Sequence, residues 1–266
     1  MGLDLFANTS LTKPEEVQPG VVEKLGAVID LENTFTDEYG KEVKLGEYFD
    51  KPVILMPVYF RCPGICTPVL YEVASAINRC ALTPGKDYRI ISISFDARER
   101  EVPDLAKNKK AAVYKEVISS GKELKKTRVL NLEPKDWVFL TGKEENIKKL
   151  TDSLGFHFLR DQEDFIHSGS VITLSPEGKI VRYLDGLKIL AMELKLAIYD
   201  AETGTTASIM HKLERLCFAY DPQGRKHVLQ INRIILLVSI VPVSLFALFL
   251  FLRKKKKPQE KVKDVS

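Results

Sequence analysis

The stretch VILMPVYFRCPGICTP, residues 53–68, decides the fold of this chain. Its first eight residues form a continuous apolar run, which is typical of a strand buried on both faces of a sheet. Pro57 conflicts with that pattern, because a central strand uses the backbone N–H of every residue. We retain the strand over residues 53–60 and expect a bulge or a free N–H at Pro57.

The sequence on both sides of this stretch alternates between strand and helix patterns. Apolar residues recur at helical spacing directly after it, which predicts a helix over 68–81. Strands that alternate with helices predict a parallel core, and a closing hairpin adds antiparallel strands. We therefore expect an α/β, thioredoxin-like fold with an N-terminal hairpin. The remaining predicted elements are a hairpin within 27–49, strands 89–95 and 137–140, helices 103–119, 143–154 and 187–199, and the hairpin of 170–174 with 180–184.

Two cysteines, Cys62 and Cys66, lie between the predicted buried strand and the helix that follows it. This is the carboxyl edge of the sheet, where α/β proteins place their sites. A helix N-terminus lowers the pKa of a thiol and so favours the thiolate. The C-x3-C spacing is one residue longer than the usual C-x2-C redox motif. It permits either a shared metal ion or a disulfide.

A soft-metal site needs a further ligand, and His167 stands directly before the predicted strand 170–174. In a thioredoxin-like fold the loop before that strand lies beside the cysteine loop. Two thiolates with an imidazole suit Cu(I), and Cu(II) also fits such a site, whereas zinc normally takes a fourth ligand. The other histidines and cysteines are interpreted as surface or packing residues: His157, His211, His227, Cys80 and Cys217.

The composition of the 266-residue chain is that of a globular protein, with 45% hydrophobic and 29% charged residues. It excludes wholesale disorder and a coiled-coil rod. The basic excess lies in residues 253–266, which carry seven Lys/Arg and two Asp/Glu. The other 252 residues carry 33 basic and 34 acidic side chains, so we expect no nucleic-acid partner.

Residues 234–252, IILLVSIVPVSLFALFLFL, contain 19 residues without a charge. About 20 such residues span the hydrocarbon core, and Pro242 is tolerated in a membrane helix. Five basic residues follow directly, and the positive-inside rule assigns them to the cytoplasm. Residues 1–230 are then expected on the outer face. Residues 1–10 show no signal-peptide pattern. Either an export signal is missing from this sequence, or its start is misassigned, or the topology is inverted, and we favour a missing signal.

Four stretches of the chain together resemble the SCO/SenC family of copper-binding assembly proteins. They are YFRCPGICTP at 59–68, SISFD at 92–96, WVFLTG at 137–142, and His167 followed by PEGKIVRY at 176–183. The resemblance covers roughly residues 25–222. The stretch CFAYDP at 217–222, with the apolar segment behind it, resembles a bacterial branch of the family that is anchored at its C-terminus.

This resemblance implies that Cys62, Cys66 and His167 hold one copper ion. It also implies delivery of copper to, or reduction of cysteines in, the CuA centre of cytochrome c oxidase subunit II. A thiol reductant is a further expected partner, because the cysteine pair must be reduced before it binds copper. The expected location is the bacterial inner membrane, crossed once, with the soluble domain facing the periplasm or the cell exterior.

The predicted organisation has five parts. These are an extended lead-in at 1–24, a thioredoxin-like copper-binding domain at 25–202, a juxtamembrane segment at 203–230, a transmembrane helix at 231–252, and a basic cytoplasmic tail at 253–266.

Three functions fit these patterns. The first is a membrane-anchored copper chaperone, which needs no catalytic turnover and is not an enzyme. The second is a thiol–disulfide oxidoreductase in which Cys62 and Cys66 form the redox-active pair. The third is a peroxidase of the peroxiredoxin type, which requires one dominant cysteine and an activating arginine. Arg61 is adjacent, but the paired motif argues against a peroxidase.

Overall fold

The structure, a computed structural model, describes residues 18–124 and 130–206, and the backbone of 218–221 and 226–229. The chain divides into two compact units, residues 1–206 and 207–266. The first unit contains the central sheet and four helices, and it carries the cysteine pair and His167.

A five-stranded mixed sheet forms the centre of the first unit, in the order β11-β10-β4-β5-β6. β4, β5 and β6 are parallel, β10 runs antiparallel to β4, and β11 runs antiparallel to β10. The α/β class and the parallel core with a closing antiparallel hairpin are therefore confirmed. The strands are β4 (Val53–Val58), β5 (Arg89–Ser94), β6 (Trp137–Leu140), β10 (Ser170–Leu174) and β11 (Ile180–Asp185).

β4 lies in the middle of this sheet with all six residues buried, as its apolar run predicts. The bulge expected at Pro57 is wrong, because the pairing with β5 continues in regular register through that residue. The carbonyls of Pro52 and Val58 accept hydrogen bonds from Arg89, the first residue of β5, and from Phe95, directly after its last residue. By alternation the nitrogen of Pro57 therefore faces β10. Pairing with β10 ends at Leu55. Pro57 therefore lies beyond the paired part of β4 and β10, where the N–H that it lacks is not needed for a hydrogen bond between the strands.

Helix α1 packs against α2 and α4, and α4 also packs on β10 and β11. α1 begins two residues before the prediction, because Pro68 is tolerated in a first helical turn. α4 begins later than predicted, since residues 187–188 form a turn held by the carbonyl and carboxylate of Asp185. The helices are α1 (Cys66–Arg79), α2 (Leu105–Glu123), α3 (Glu144–Ser153) and α4 (Ala191–Glu202).

Short strands lie around the central sheet. The predicted N-terminal hairpin is confirmed as β2 (Thr34–Thr36) with β3 (Glu42–Lys44). β1 (Gly20–Val21) pairs with β7 (Phe156–His157). A further hairpin, β8 (Leu159–Asp161) with β9 (Asp164–Ile166), was not predicted, because its sequence is charged and lacks apolar alternation. This hairpin leads directly into His167.

In the second unit the structure describes one hairpin, β12 (Phe218–Asp221) with β13 (Lys226–Leu229). The predicted membrane helix 231–252 and the tail 253–266 lie outside the described residues, as do His211 and Cys217. Across residues 18–124 and 130–206 and the two short strands of the second unit, no helix combines the length and apolarity that crossing a bilayer requires.

Candidate metal centre

The cysteine pair lies where the buried central strand turns into a helix. β4 ends at Val58, a loop follows, and Cys66 is the first residue of α1. Cys62 is 9% exposed and Cys66 only 1%. Backbone N–H groups point at both sulfurs: Gly64 donates to Cys62 Sγ at 3.3 Å, and Tyr59 donates to Cys66 Sγ at 3.4 Å. The loop therefore holds both sulfurs in fixed positions.

His167 reaches the same point from the other side. Its Nε2 lies 3.5 Å from Cys66 Sγ and 3.9 Å from Cys62 Sγ. The three ligand atoms all lie within 4.8 Å of one another, and they form a group that could hold a metal ion. Sequence reasoning singled out these three residues, and the fold brings them together although 101 positions separate Cys66 from His167.

The hydrogen bond at the far side of the imidazole determines which nitrogen faces the sulfurs. His167 Nδ1 lies 3.0 Å from the carbonyl oxygen of Ser168. A carbonyl only accepts, so Nδ1 carries the proton and the lone pair of Nε2 points toward the cysteines. Metal-binding histidines usually donate their other ring N–H to a carbonyl or carboxylate in this way, which fixes the orientation of the ring.

Aromatic rings hold the imidazole in place. The ring of His167 meets Phe95 at a centroid distance of 5.0 Å and Tyr59 at 5.7 Å, both edge-to-face. Phe165, from the hairpin before His167, packs edge-on against both of these aromatic side chains. The side wall of the site is therefore aromatic.

A close approach of the backbone at Gly169 to a side chain of α1 brings the histidine loop to the cysteine loop. Gly169 follows His167 by two residues, and a Cβ there would lie 2.9 Å from Val69 Cγ2 on α1. Gly186 has the same relation to the other methyl of Val69, and its N–H donates to the carbonyl of Gly169. Glycine at both positions lets this end of the β10–β11 pair lie against the first turn of the helix.

The two thiols differ in acidity. The pKa of Cys62 is lowered to about 4, chiefly by a hydrogen bond from Cys66, and the backbone N–H groups of Cys66 and Gly64 lower it further against the effect of burial. Burial, followed by the neighbouring Cys62, raises the pKa of Cys66. The metal-free site thus holds one thiolate and one thiol, a reactive pair that can also close a disulfide.

The remaining cysteines and histidines are not part of the three-residue group or lie outside the described residues. Cys80 is buried at the end of α1, about 20 Å from Cys66 along the helix axis, in agreement with a packing role. His157 is part of β7. The side chains of Cys217, His211 and His227 lie outside the described residues.

Sequence reasoning missed one buried charged residue that contacts the cysteine loop. Glu99 stands in the charged run DARERE at 96–101, which looks like a solvated surface, yet its side chain is fully buried behind the cysteine loop. No pattern in the sequence distinguishes it from the exposed Glu101.

The SCO1/SenC family model matches residues 23–194, a stretch that includes both cysteines and His167. The chain belongs to the SCO1/SenC family. The match spans the central sheet and the first turn of α4, so the resemblance of the motifs between residues 59 and 183 to this family is confirmed. A comparison with curated protein sequences gave no significant match.

Several solved structures are similar to this chain. A proposed electron transfer protein from Aquifex aeolicus VF5 is 28% identical with a TM-score of 0.54, and the alignment covers 71% of this chain and 99% of that one. A proposed electron transport protein from the same organism is 27% identical with a TM-score of 0.51, over 68% and 99% of the two chains. Arabidopsis thaliana ScoI, solved with copper bound, is 20% identical with a TM-score of 0.48, over 68% and 99%.

Proposed function

We propose that this chain is a membrane-anchored copper chaperone that binds one copper ion through Cys62, Cys66 and His167. The observation that carries the proposal is the convergence of two sulfurs and one imidazole nitrogen within 4.8 Å. Thiolate and imidazole donors suit Cu(I). Within the described residues the group has three members rather than the four that structural zinc prefers.

The position of the site suits transfer of copper rather than permanent storage. Cys62 lies just beneath the surface, and its neighbours Pro63 and Gly64 are exposed. A partner thiolate approaching from this side can share the ion with Cys62 before Cys66 and His167 release it. In the SCO1/SenC family the implied recipient is the CuA centre of cytochrome c oxidase subunit II, and we propose the same client here.

Metal content of the purified full-length protein tests the site. We expect one copper per chain after loading with Cu(I). Replacement of Cys62 or Cys66 by Ser, or of His167 by Ala, should abolish tight binding, because each change removes one of three donors. Cys80→Ser and Cys217→Ser are matched controls that keep the ligand group intact, and we expect them to bind one ion. Stoichiometric copper retained after loss of either motif cysteine would exclude this site.

The membrane anchor is part of the same proposal and rests on residues 231–252 with the basic tail behind them. Each Lys or Arg at the bilayer centre costs about 2.5–3.5 kcal/mol on insertion scales, so the five basic residues at 253–257 resist translocation. We expect protease added to spheroplasts to digest residues 1–230 and to leave the tail intact. Protection of the soluble part together with cleavage of the tail would reverse the topology and remove the client.

A second function, thiol–disulfide exchange, is favoured by the lowered pKa of Cys62. The Cys62 thiolate would attack a client disulfide and release one client thiolate. Cys66 would then lose its proton and displace the second client sulfur, leaving a Cys62–Cys66 disulfide for a thiol reductant to reopen. His167→Ala separates the two functions, since it should remove copper binding and leave slow disulfide exchange.

A further inference from the structure

A buried carboxylate accepts hydrogen bonds from the backbone of the cysteine loop. Glu99 lies in the short helical turn Ala97–Glu101 that follows β5, and its side chain is 0% exposed. Its Oε2 accepts the backbone N–H of Phe60 at 2.7 Å, and its Oε1 accepts the backbone N–H of Arg61, also at 2.7 Å. These are the two residues directly before Cys62.

The same carboxylate has further partners that fix its orientation. Ser94, the last residue of β5, donates its hydroxyl to Oε2 at 2.6 Å. The Arg61 Nε lies 3.5 Å from Oε1 and brings a compensating positive charge. Glu99 therefore joins the end of β5 to the point where the chain leaves β4, and both of its oxygens act as hydrogen-bond acceptors, as only a carboxylate allows.

We infer that Glu99 is a positioning residue for the metal centre: it sets the path of the backbone into Cys62 and thereby the separation of the two sulfurs. This inference rests on the proposed copper site but not on the identity of the client. Glu99 makes no hydrogen bond to the three ligands, and its hydrogen bonds reach the site through the backbone of residues 60 and 61. An outer-shell contact of this kind typically changes metal affinity 10- to 100-fold.

The variant that tests this role is Glu99→Gln, which keeps the size of the side chain. A carboxamide has one oxygen and one NH2 group, so in either orientation an NH2 faces a backbone N–H of Phe60 or Arg61. The loop must then shift, because the NH2 group and the backbone N–H are both donors and repel each other. We expect copper to bind about 10- to 100-fold more weakly, and the copper–thiolate charge-transfer absorption of the loaded protein to move.

A second buried carboxylate supplies a matched control. The Glu38 side chain is 2% exposed, pairs with Lys110, and accepts the backbone N–H of Phe139 on β6 at 3.1 Å. Glu38→Gln should destabilise the full-length protein in the same manner and leave the copper affinity and absorption spectrum as in the wild type. An equal loss of copper affinity in both variants would show that general destabilisation is the cause, and would overturn the inference.

A copper-independent readout separates this inference from the proposed function. We expect the midpoint potential of the Cys62–Cys66 disulfide, measured in glutathione buffers, to shift in Glu99→Gln and not in Glu38→Gln. If the wild type fails to bind copper, the proposed function is wrong, and the potential still tests Glu99. Wild-type affinity, spectrum and potential in Glu99→Gln would overturn the positioning role. Should that variant not fold, Ser94→Ala removes only the hydroxyl donor and should shift the same quantities less.

Discussion

The two halves of the candidate metal centre are built differently. The cysteine segment, residues 59–66, joins the middle strand of the sheet to α1, and Cys66 is 1% exposed. The histidine segment, residues 159–169, is a short hairpin and loop in which Leu159 and Ile166 are about half exposed. One half is therefore positioned by the hydrophobic core, whereas the other is positioned by a few rings and one close glycine contact.

This difference predicts that a substitution next to the cysteine segment lowers the stability of the protein more than a substitution in the histidine segment. Leu70→Ala removes a side chain of α1 that is 0% exposed, and should lower the free energy of unfolding by about 2–5 kcal/mol. Ile166→Ala on β9, which is 49% exposed, should change it by no more than about 0.5 kcal/mol. Urea unfolding of the metal-free protein measures both. Equal losses would show that the histidine segment is as deeply anchored as the cysteine segment.

His167→Ala sharpens the comparison from the ligand side. We expect the copper affinity to fall at least about 100-fold, the upper end of what an outer-shell partner contributes. The stability of the metal-free protein should change by less than about 1 kcal/mol, because the imidazole is only partly buried. Competition titration with a copper chelator measures the affinity. The control is His157→Ala on β7, and reduced affinity in that variant would place the imidazole ligand elsewhere.

The contact that holds the two halves together is testable at Gly169. Gly169→Ala places a Cβ 2.9 Å from Val69 Cγ2 and should cost about 1–3 kcal/mol of stability. Because the histidine loop must move away from α1, copper affinity should fall as well. Val69→Ala opens the space, so the double variant should recover part of both losses in a double-mutant cycle. Additive losses of stability and of copper affinity would mean that positions 169 and 69 do not interact energetically.

The smallest effect concerns the acidity of the pair. With the pKa of Cys62 lowered to about 4, this thiol is deprotonated above that value. Its alkylation by iodoacetamide in the metal-free protein should therefore be nearly independent of pH between about 6 and 8. Cys66, whose pKa burial raises, should stay unmodified. Cys66→Ala removes the main hydrogen bond to Cys62 and should restore a rising rate. An alkylation rate that already rises with pH in the wild type would contradict the lowered pKa of Cys62.

The sequence predicts the cysteine segment better than the histidine segment, for a physical reason. The apolar run before Cys62 and the helical spacing after Cys66 are local patterns, and they locate the strand, the loop and the helix. The hairpin before His167 has no such pattern, because its conformation depends on packing with Phe95 and on Gln162 in the left-handed region, at a φ of 54°. The burial of Glu99 could not be predicted for the same reason, because its backbone partners at residues 60 and 61 are distant in the sequence.

The central claim, that two sulfurs and one imidazole hold the copper, is tested most directly by X-ray absorption spectroscopy of the full-length protein loaded with one equivalent of Cu(I). The account predicts a first shell of two sulfur atoms and one nitrogen atom, and the loss of the imidazole scattering in His167→Ala. A shell of nitrogen and oxygen atoms alone, or a wild-type spectrum unchanged by His167→Ala, would contradict it.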